Sequence, residues 1–165
     1  ALEIGTQNGV TMILKDATKV YSLVNVTKFQ HYSSFWLKMC LPKLAKQKQT
    51  IHCMQANSHE NKTLHRVKYI FDDKKIDFLF IDGDHSYEGV KRDFDLYSNL
   101  VKPGGIIAFH DIHEGPLLRS GVKTSFYVGG VPEFWRELKK QYKQVNEIIE
   151  DYDQEGFGIG IIVNE

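Results

Sequence analysis

Three acid or imidazole side chains arrive within four positions in the segment Ile76-Asp77-Phe78-Leu79-Phe80-Ile81-Asp82-Gly83-Asp84-His85-Ser86-Tyr87-Glu88-Gly89: Asp82, Asp84 and His85. They follow an apolar run broken only by Asp77, the pattern of a strand buried on both faces of a parallel sheet. Ligands of open α/β sheets bind at the carboxyl ends of strands. These side chains therefore stand where chemistry is expected. The plainer alternative is a solvated turn that caps the next helix. Against it, Asp82 comes directly after a buried strand, where an unpaired carboxylate is costly. A second group with chemical capacity, His110-Asp111, ends the apolar run Ile106–Phe109. A third feature is the turn Glu3-Ile4-Gly5-Thr6-Gln7-Asn8-Gly9. Its glycines would let backbone approach a ligand, and a following helix start would offer free N–H groups. The spacing is Gly-x-x-x-Gly and not the dinucleotide fingerprint. An ordinary strand-to-helix turn explains it equally well.

The elements that must position these groups are legible as alternation. Leu2–Ile4 reads as the end of a buried strand and Val10–Ala17 as a short helix. Lys19–Val26 and Thr50–Gln55 read as strands. Lys28–Lys46 is predicted helical, with Phe29, Tyr32, Phe35, Trp36, Met39 and Leu44 forming a core stripe. Asn61–Phe71 is predicted as a helix, Ile76–Asp82 as the central strand, and Tyr87–Leu100 as a helix with Val90, Phe94, Tyr97 and Leu100 inward. Lys102-Pro103-Gly104-Gly105 carries the signal of a turn, followed by the strand Ile106–Phe109. Ile112–Gly130 shows no periodicity, and loops of such length tend to be lids or binding loops. Pro132 suits the first turn of a helix reaching about Tyr142. Val145–Glu150 and Gly156–Val163 read as a hairpin, so the last strand should run against the others. Five strand–helix alternations followed by a helix and a hairpin predict an α/β fold: a Rossmann-like three-layer sandwich with a seven-stranded, mostly parallel sheet and an antiparallel last strand.

The 165 residues suffice for one domain with a full core. The chain is read as a single domain, and the entry into a strand directly after Ala1 predicts a preceding N-terminal segment. Lys plus Arg and Asp plus Glu number 21 each, which argues against the basic footprint of a nucleic-acid partner. Cys40 and Cys53 lack metal-ligand spacing and read as reduced, buried thiols of a cytoplasmic protein. No membrane span or signal peptide is visible. Asn25-Val26-Thr27 and Asn61-Lys62-Thr63 match the glycosylation pattern by chance in that setting.

Taken in order, Leu2–Gly9, Phe78–His85 and Lys102–Asp111 resemble the first motif, fourth strand end and fifth strand of class I S-adenosylmethionine-dependent methyltransferases. The terminal hairpin resembles that family's antiparallel seventh strand. The likeness spans essentially the whole chain and is greatest to the branch with Asp-Gly-Asp-His-Ser-Tyr and His-Asp-Ile segments. That branch is related to metal-dependent O-methyltransferases and to antibiotic and sugar methyltransferases. The resemblance implies that Glu3, Gly5, Thr6, Asn8 and Gly9 hold the methionine end of S-adenosyl-L-methionine. It implies Asn25, Asn57, Ser58 and Asp82 as further cofactor contacts. It also implies that Asp82, His110 and Asp111 converge, a set able to hold Mg²⁺, or Mn²⁺ if the histidine ligates. His85 becomes the candidate general base, its ordinary pKa of ~6.5 lying near working pH. Asp84 would orient it or complete the metal shell. The acceptor would be a small-molecule or sugar hydroxyl covered by the loop with Arg119, Lys123, Phe126 and Tyr127.

Two departures from the family pattern bear on activity. The second strand usually ends in an acid that holds both ribose hydroxyls, whereas here Val24 and Asn25 stand there. Ala56-Asn57-Ser58 replaces a common Gly-Asp-Ser, although an amide can still donate to and accept from an adenine edge. A charged hydrogen bond lost at the ribose would weaken cofactor binding by ~1.5–3 kcal/mol. A second reading therefore stays open, a methyltransferase fold serving as a weak or inactive binding or assembly module, with a homo-oligomer compatible with either. A nicotinamide dehydrogenase is disfavoured by the missing glycine fingerprint.

Overall fold

The computed structural model describes residues 1–5, 19–24, 50–115, 128–154 and 156–165. The helices expected over 10–17 and 28–46, the middle of the loop 112–130 and Cys40 lie outside the described residues. So do Thr6, Asn8, Gly9 and Asn25.

Seven strands form one sheet: β1 (Leu2–Ile4), β2 (Lys19–Val24), β3 (Thr50–Gln55), β4 (Ile76–Ile81), β5 (Val101–His110), β6 (Val145–Ile148) and β7 (Ile159–Val163). Their order is β3-β2-β1-β4-β5-β7-β6. The pairs from β3 through β5 are parallel. β7 runs antiparallel to both β5 and β6, as the hairpin requires. The order reverses at β1, which pairs with β2 on one side and β4 on the other. The crevice beyond the carboxyl ends of such a pair is where this architecture binds ligands.

Alternation along the strands assigns the sheet faces. Leu2, Leu79, Ile107 and Ile162 form one cross-strand row. Ile4, Ile81, Phe109 and Gly160 form the next. The apolar side chains of both rows belong to the core shared with helices α1 (Asn61–Ile70), α2 (Tyr87–Tyr97) and α3 (Val131–Leu138). Gly160 contributes no side chain, and Trp135 of α3 lies there. A Cβ on Gly160 would come 2.7 Å from the indole ring, which is 1% exposed. Phe109 packs on it with centroids 5.7 Å apart, and Phe94 and Phe134 pack on Phe109 in turn. Glu3, Phe80, Ala108 and His110 point to the opposite face by the same alternation.

α2 starts where Ser86 accepts the Gly89 amide at 3.0 Å. It passes into a 3₁₀ turn at Ser98–Leu100, so the predicted helix is recovered in two pieces. α3 has Pro132 in its first turn and likewise ends in a 3₁₀ turn, Lys139–Gln141.

One expectation is corrected. Lys102–Gly105 is no free turn but the opening of β5, with a register irregularity against Ile76–Phe78. Asn164 supplies the reason: its carbonyl accepts the Gly104 amide at 2.7 Å and its amide donates to Gly105 at 2.8 Å. Its side chain also donates to the Val101 carbonyl at 2.9 Å. Backbone groups that Pro and Gly would leave to solvent are thereby paired within the sheet. No helix among the described residues is long and apolar enough to cross a membrane.

Candidate active site at the ends of strands β1, β4 and β5

Gly5 closes β1 with φ +100°, and a Cβ there would lie 1.6 Å from the Asp82 carbonyl oxygen. Only glycine permits this contact. Asp82 in turn donates its amide to the Ile4 carbonyl at 2.9 Å. The first glycine turn and the acid after β4 are therefore pressed together as backbone, side by side at the sheet's order reversal.

Four side chains converge beside them. His85 Nε2 is 3.3 Å from Asp82 Oδ1, and its Nδ1 is 3.4 Å from Asp111 Oδ2. His110 Nδ1 is 3.5 Å from Asp82 Oδ1 and 3.2 Å from Asp111 Oδ1. Each imidazole thus faces both carboxylates. Asp82, His85 and His110 are partly exposed, whereas the Asp111 side chain is 5% exposed. Asp111 also takes a left-handed backbone, φ +59°, which Asp tolerates better than most residues. The backbone of His85 is held from the far side of the sequence. Its carbonyl accepts the Gly130 amide at 2.7 Å, and Gly129, at φ +60°, leaves room that a Cβ would fill.

The electrostatics follow from this crowding. Burial alone would raise the Asp82 carboxyl, but hydrogen bonds from His110 and His85 outweigh it and hold it below its ordinary value. The Asp111 and Asp82 carboxylates raise His110 to about 10, so it carries a proton at neutral pH. A neutral imidazole has one N–H, and His85 presents both ring nitrogens to carboxylates. Asp111 Oδ1, buried, makes no well-directed hydrogen bond although His110 lies close.

These observations test a divalent cation. Donor atoms of Asp82, His85 and Asp111 lie within 4.8 Å of one another. Two carboxylates suit Mg²⁺ or Mn²⁺, and a ligating imidazole favours Mn²⁺. The residues fit. Of the expected set, Asp82 and Asp111 belong to that group; His85 supplies its third donor, while His110 lies beside both carboxylates.

The remaining predicted residues are placed as follows. Asp84 stands apart from the cluster: its carboxylate accepts the Ser86 amide at 2.9 Å and lies over Gly89. It shapes the turn into α2, and Asp82 and Asp111 are the acids that face His85. Glu3 is buried, 6% exposed, on the sheet face shared with His110. Asn57 is exposed and closes a local turn, its Oδ1 accepting the His59 amide at 2.9 Å. It borders an open groove with Met54, Ala56, Thr63 and Arg66. Ser58 turns inward and is fully buried.

Ser58 leads to a polar group that sequence reasoning missed. Asp93 of α2 is 0% exposed. Burial raises its carboxyl to about 6, against the Ser58 hydroxyl and His59, which favour the charged form. His59 Nε2 is 3.4 Å away. Tyr97, one turn on, donates to the Ser58 carbonyl at 2.8 Å. α2 thereby ties down the loop after β3. The signal was present: Asp93 falls on the helix face of Val90 and Tyr97, an acid inside an apolar stripe.

A family profile described as a methyltransferase domain matches residues 2–112. An uncharacterized protein of Acanthamoeba polyphaga mimivirus is 29% identical over 126 residues, which are 68% of this chain and 51% of its own. The chain thus spans about half the length of that curated relative. Among solved structures, an O-methyltransferase from Bacillus cereus in complex with S-adenosylhomocysteine has a TM-score of 0.63 at 18% identity. That match covers 99% of this chain and 73% of the other. MycE, a methyltransferase of the mycinamycin biosynthetic pathway solved with Mg, S-adenosylhomocysteine and mycinamycin VI, has a TM-score of 0.55 at 14% identity. It covers 98% and 43% of the two chains. At such identities the likeness is one of fold.

Proposed function

The chain belongs to the methyltransferase-domain family, and we propose that it moves the methyl group of S-adenosyl-L-methionine to a hydroxyl of a small-molecule or sugar acceptor, with a divalent cation in the Asp82–Asp111 cluster. One observation carries this reading: Asp82, His85, His110 and Asp111 converge beside the Gly5 turn, at the sheet's order reversal. The two structural neighbours named above were solved with S-adenosylhomocysteine, and one of them with Mg, which supports the choice of cofactor and cation.

The methyl group of a sulfonium is already activated, so the chain's task is positioning and proton removal. Gly5 keeps the end of β1 narrow and, with Glu3, Thr6, Asn8 and Gly9, would hold the methionine end. Asn57 and Asn25 serve the nucleoside. Ser58 acts from beneath, by fixing the loop that carries Asn57. Asp82 and Asp111, with His85 or His110, would hold the cation, which supplies a lowered hydroxyl pKa in the acceptor. His110, whose Nδ1 lies 3.5 Å from Asp82 and 3.2 Å from Asp111, would orient both carboxylates. His85 would serve as the candidate proton acceptor, with His110 then the nitrogen donor beside the carboxylates.

Calorimetry of S-adenosylhomocysteine, with and without Mg²⁺ or Mn²⁺, tests the reading. Heat of binding is expected, weakened by about one to two orders of magnitude by the missing ribose acid. Asp82→Ala should abolish metal-stimulated transfer while the melting temperature holds. Transfer that persists in chelator would remove the cation from the mechanism. No heat at millimolar ligand would favour the binding-module reading.

A further inference from the structure

We propose that Phe157 is the wall of the acceptor subsite, receiving the flat apolar face of the ring that bears the reacting hydroxyl; this rests on the methyl-transfer reading. Three consecutive residues have left-handed backbone: Gly156 at φ +90°, Phe157 at +63° and Gly158 at +83°. Glycine adopts this region freely, but a bulky side chain there is an outlier that something must compensate. Phe157 is nonetheless 54% exposed. Its ring lies 6.0 Å from that of His110, centroid to centroid, inclined by 55°. His110 is the imidazole that faces both Asp82 and Asp111. An exposed aromatic face thus stands next to the one cluster in the described residues that fits a cation. Strained residues concentrate at such places because the strain positions a group for use.

The segment is also held firmly enough to act as a wall. The His113 amide donates to the Phe157 carbonyl at 3.0 Å, and His113 Nε2 bonds the Tyr152 carbonyl at 2.9 Å. Gln154 accepts the amides of Glu150 and Asp151 and donates to the Gly156 carbonyl at 2.6 Å. Gly158 passes so near Ile112, His113 and Ile149 that a Cβ would sit 3.2–3.3 Å from them. The hairpin tip is therefore stitched to the end of β5, and the ring position is preset. A ring beside His110, which itself faces both carboxylates, suits an acceptor whose hydroxyl sits on, or next to, a planar or chair-shaped ring. Stacking of that kind takes either an aromatic ring or the C–H face of a sugar.

Two probes separate these sources: catechol and methyl mannoside, each titrated by NMR into the full chain with Mg²⁺. The parent should bind at least one. Phe157→Asn suits the left-handed backbone and lacks the ring. It should weaken that probe at least tenfold, leave S-adenosylhomocysteine affinity within twofold, and hold or raise the melting temperature. Phe157→Tyr should restore probe binding. Probe affinity within twofold of the parent in the Asn variant would overturn the proposal. So would a melting temperature lowered by more than about 5 °C, which would make the ring a structural cover for His110. A parent that binds neither probe overturns it too. Phe157-dependent probe binding without S-adenosylhomocysteine binding would keep the subsite and remove methyl transfer.

Discussion

Replacing Asp93 by Asn should make the protein more stable at neutral pH and remove one component of its pH dependence. The carboxyl is fully buried among Ser58, His59 and Tyr97, with Asp84 nearby, and burial raises it from an ordinary 3.8 to about 6. The unfolded chain ionises it near the ordinary value, so the folded state holds more protons across the window from about pH 4 to about pH 6. Stability from this group is therefore fully present at the acid end of that window, falls as pH rises through it, and is lost above. The displacement corresponds to about 3 kcal/mol of ionisation cost in the folded protein at neutral pH. Asn cannot ionise and carries none of that cost, but it gives up the attraction to His59. The stability of Asp93→Asn minus that of the parent, from urea denaturation at pH 4, 5.5 and 7.5, should rise by about 2–3 kcal/mol across the series. In thermal scans near pH 7.5, each kcal/mol of net gain should appear as about 2–4 °C. A difference that does not vary with pH, or an Asn variant that loses stability as pH rises, would refute the reasoning. Asp93 would then be charged and satisfied in the fold.

Three further outcomes follow from contacts of named atoms. Gly5→Ala puts a Cβ against the Asp82 carbonyl at a backbone angle that L-residues avoid; it should cost about 2 kcal/mol or more of stability and abolish S-adenosylhomocysteine binding in calorimetry. Gly160→Ala drives a methyl into the face of Trp135 and should cost about 1–3 kcal/mol, with a changed tryptophan emission as the local reporter. Glu147 accepts from Trp135 Nε1 at 2.5 Å and Lys139 Nζ at 2.7 Å, and Lys139 first, then Trp135, lowers its carboxyl against some burial. Stability from a lowered carboxyl is present above its unfolded value and lost as pH falls through the folded one. Glu147→Gln should thus cost about 1–2 kcal/mol at pH 7, and the deficit should shrink in urea denaturation below about pH 4.

Much of the architecture was readable because burial and periodicity are local facts. The run Phe78–Ile81 had to be central, and the Val145–Val163 hairpin had to turn its last strand against the rest. Lys102–Gly105 misled because Pro and Gly report what a backbone tolerates, whereas Asn164, some sixty residues on, decides where its hydrogen bonds go. Asp84 misled in a similar way. Adjacency to His85 in sequence suggested partnership, but the turn aims the Asp84 carboxylate at the Ser86 amide instead.

By itself the sequence determined which acids and imidazoles stand at the ends of the central strands, since an apolar run followed by an acid specifies a strand end wherever it lies in the chain. It could not determine that both imidazoles face both carboxylates, nor that Gly5 touches the Asp82 carbonyl. Those contacts join β1, β4 and β5 across the sheet, and strand order and register arise only when the whole sheet assembles. The same holds for Phe157, an unremarked aromatic between glycines in the sequence, which the pairing of β7 with β5 brings beside His110.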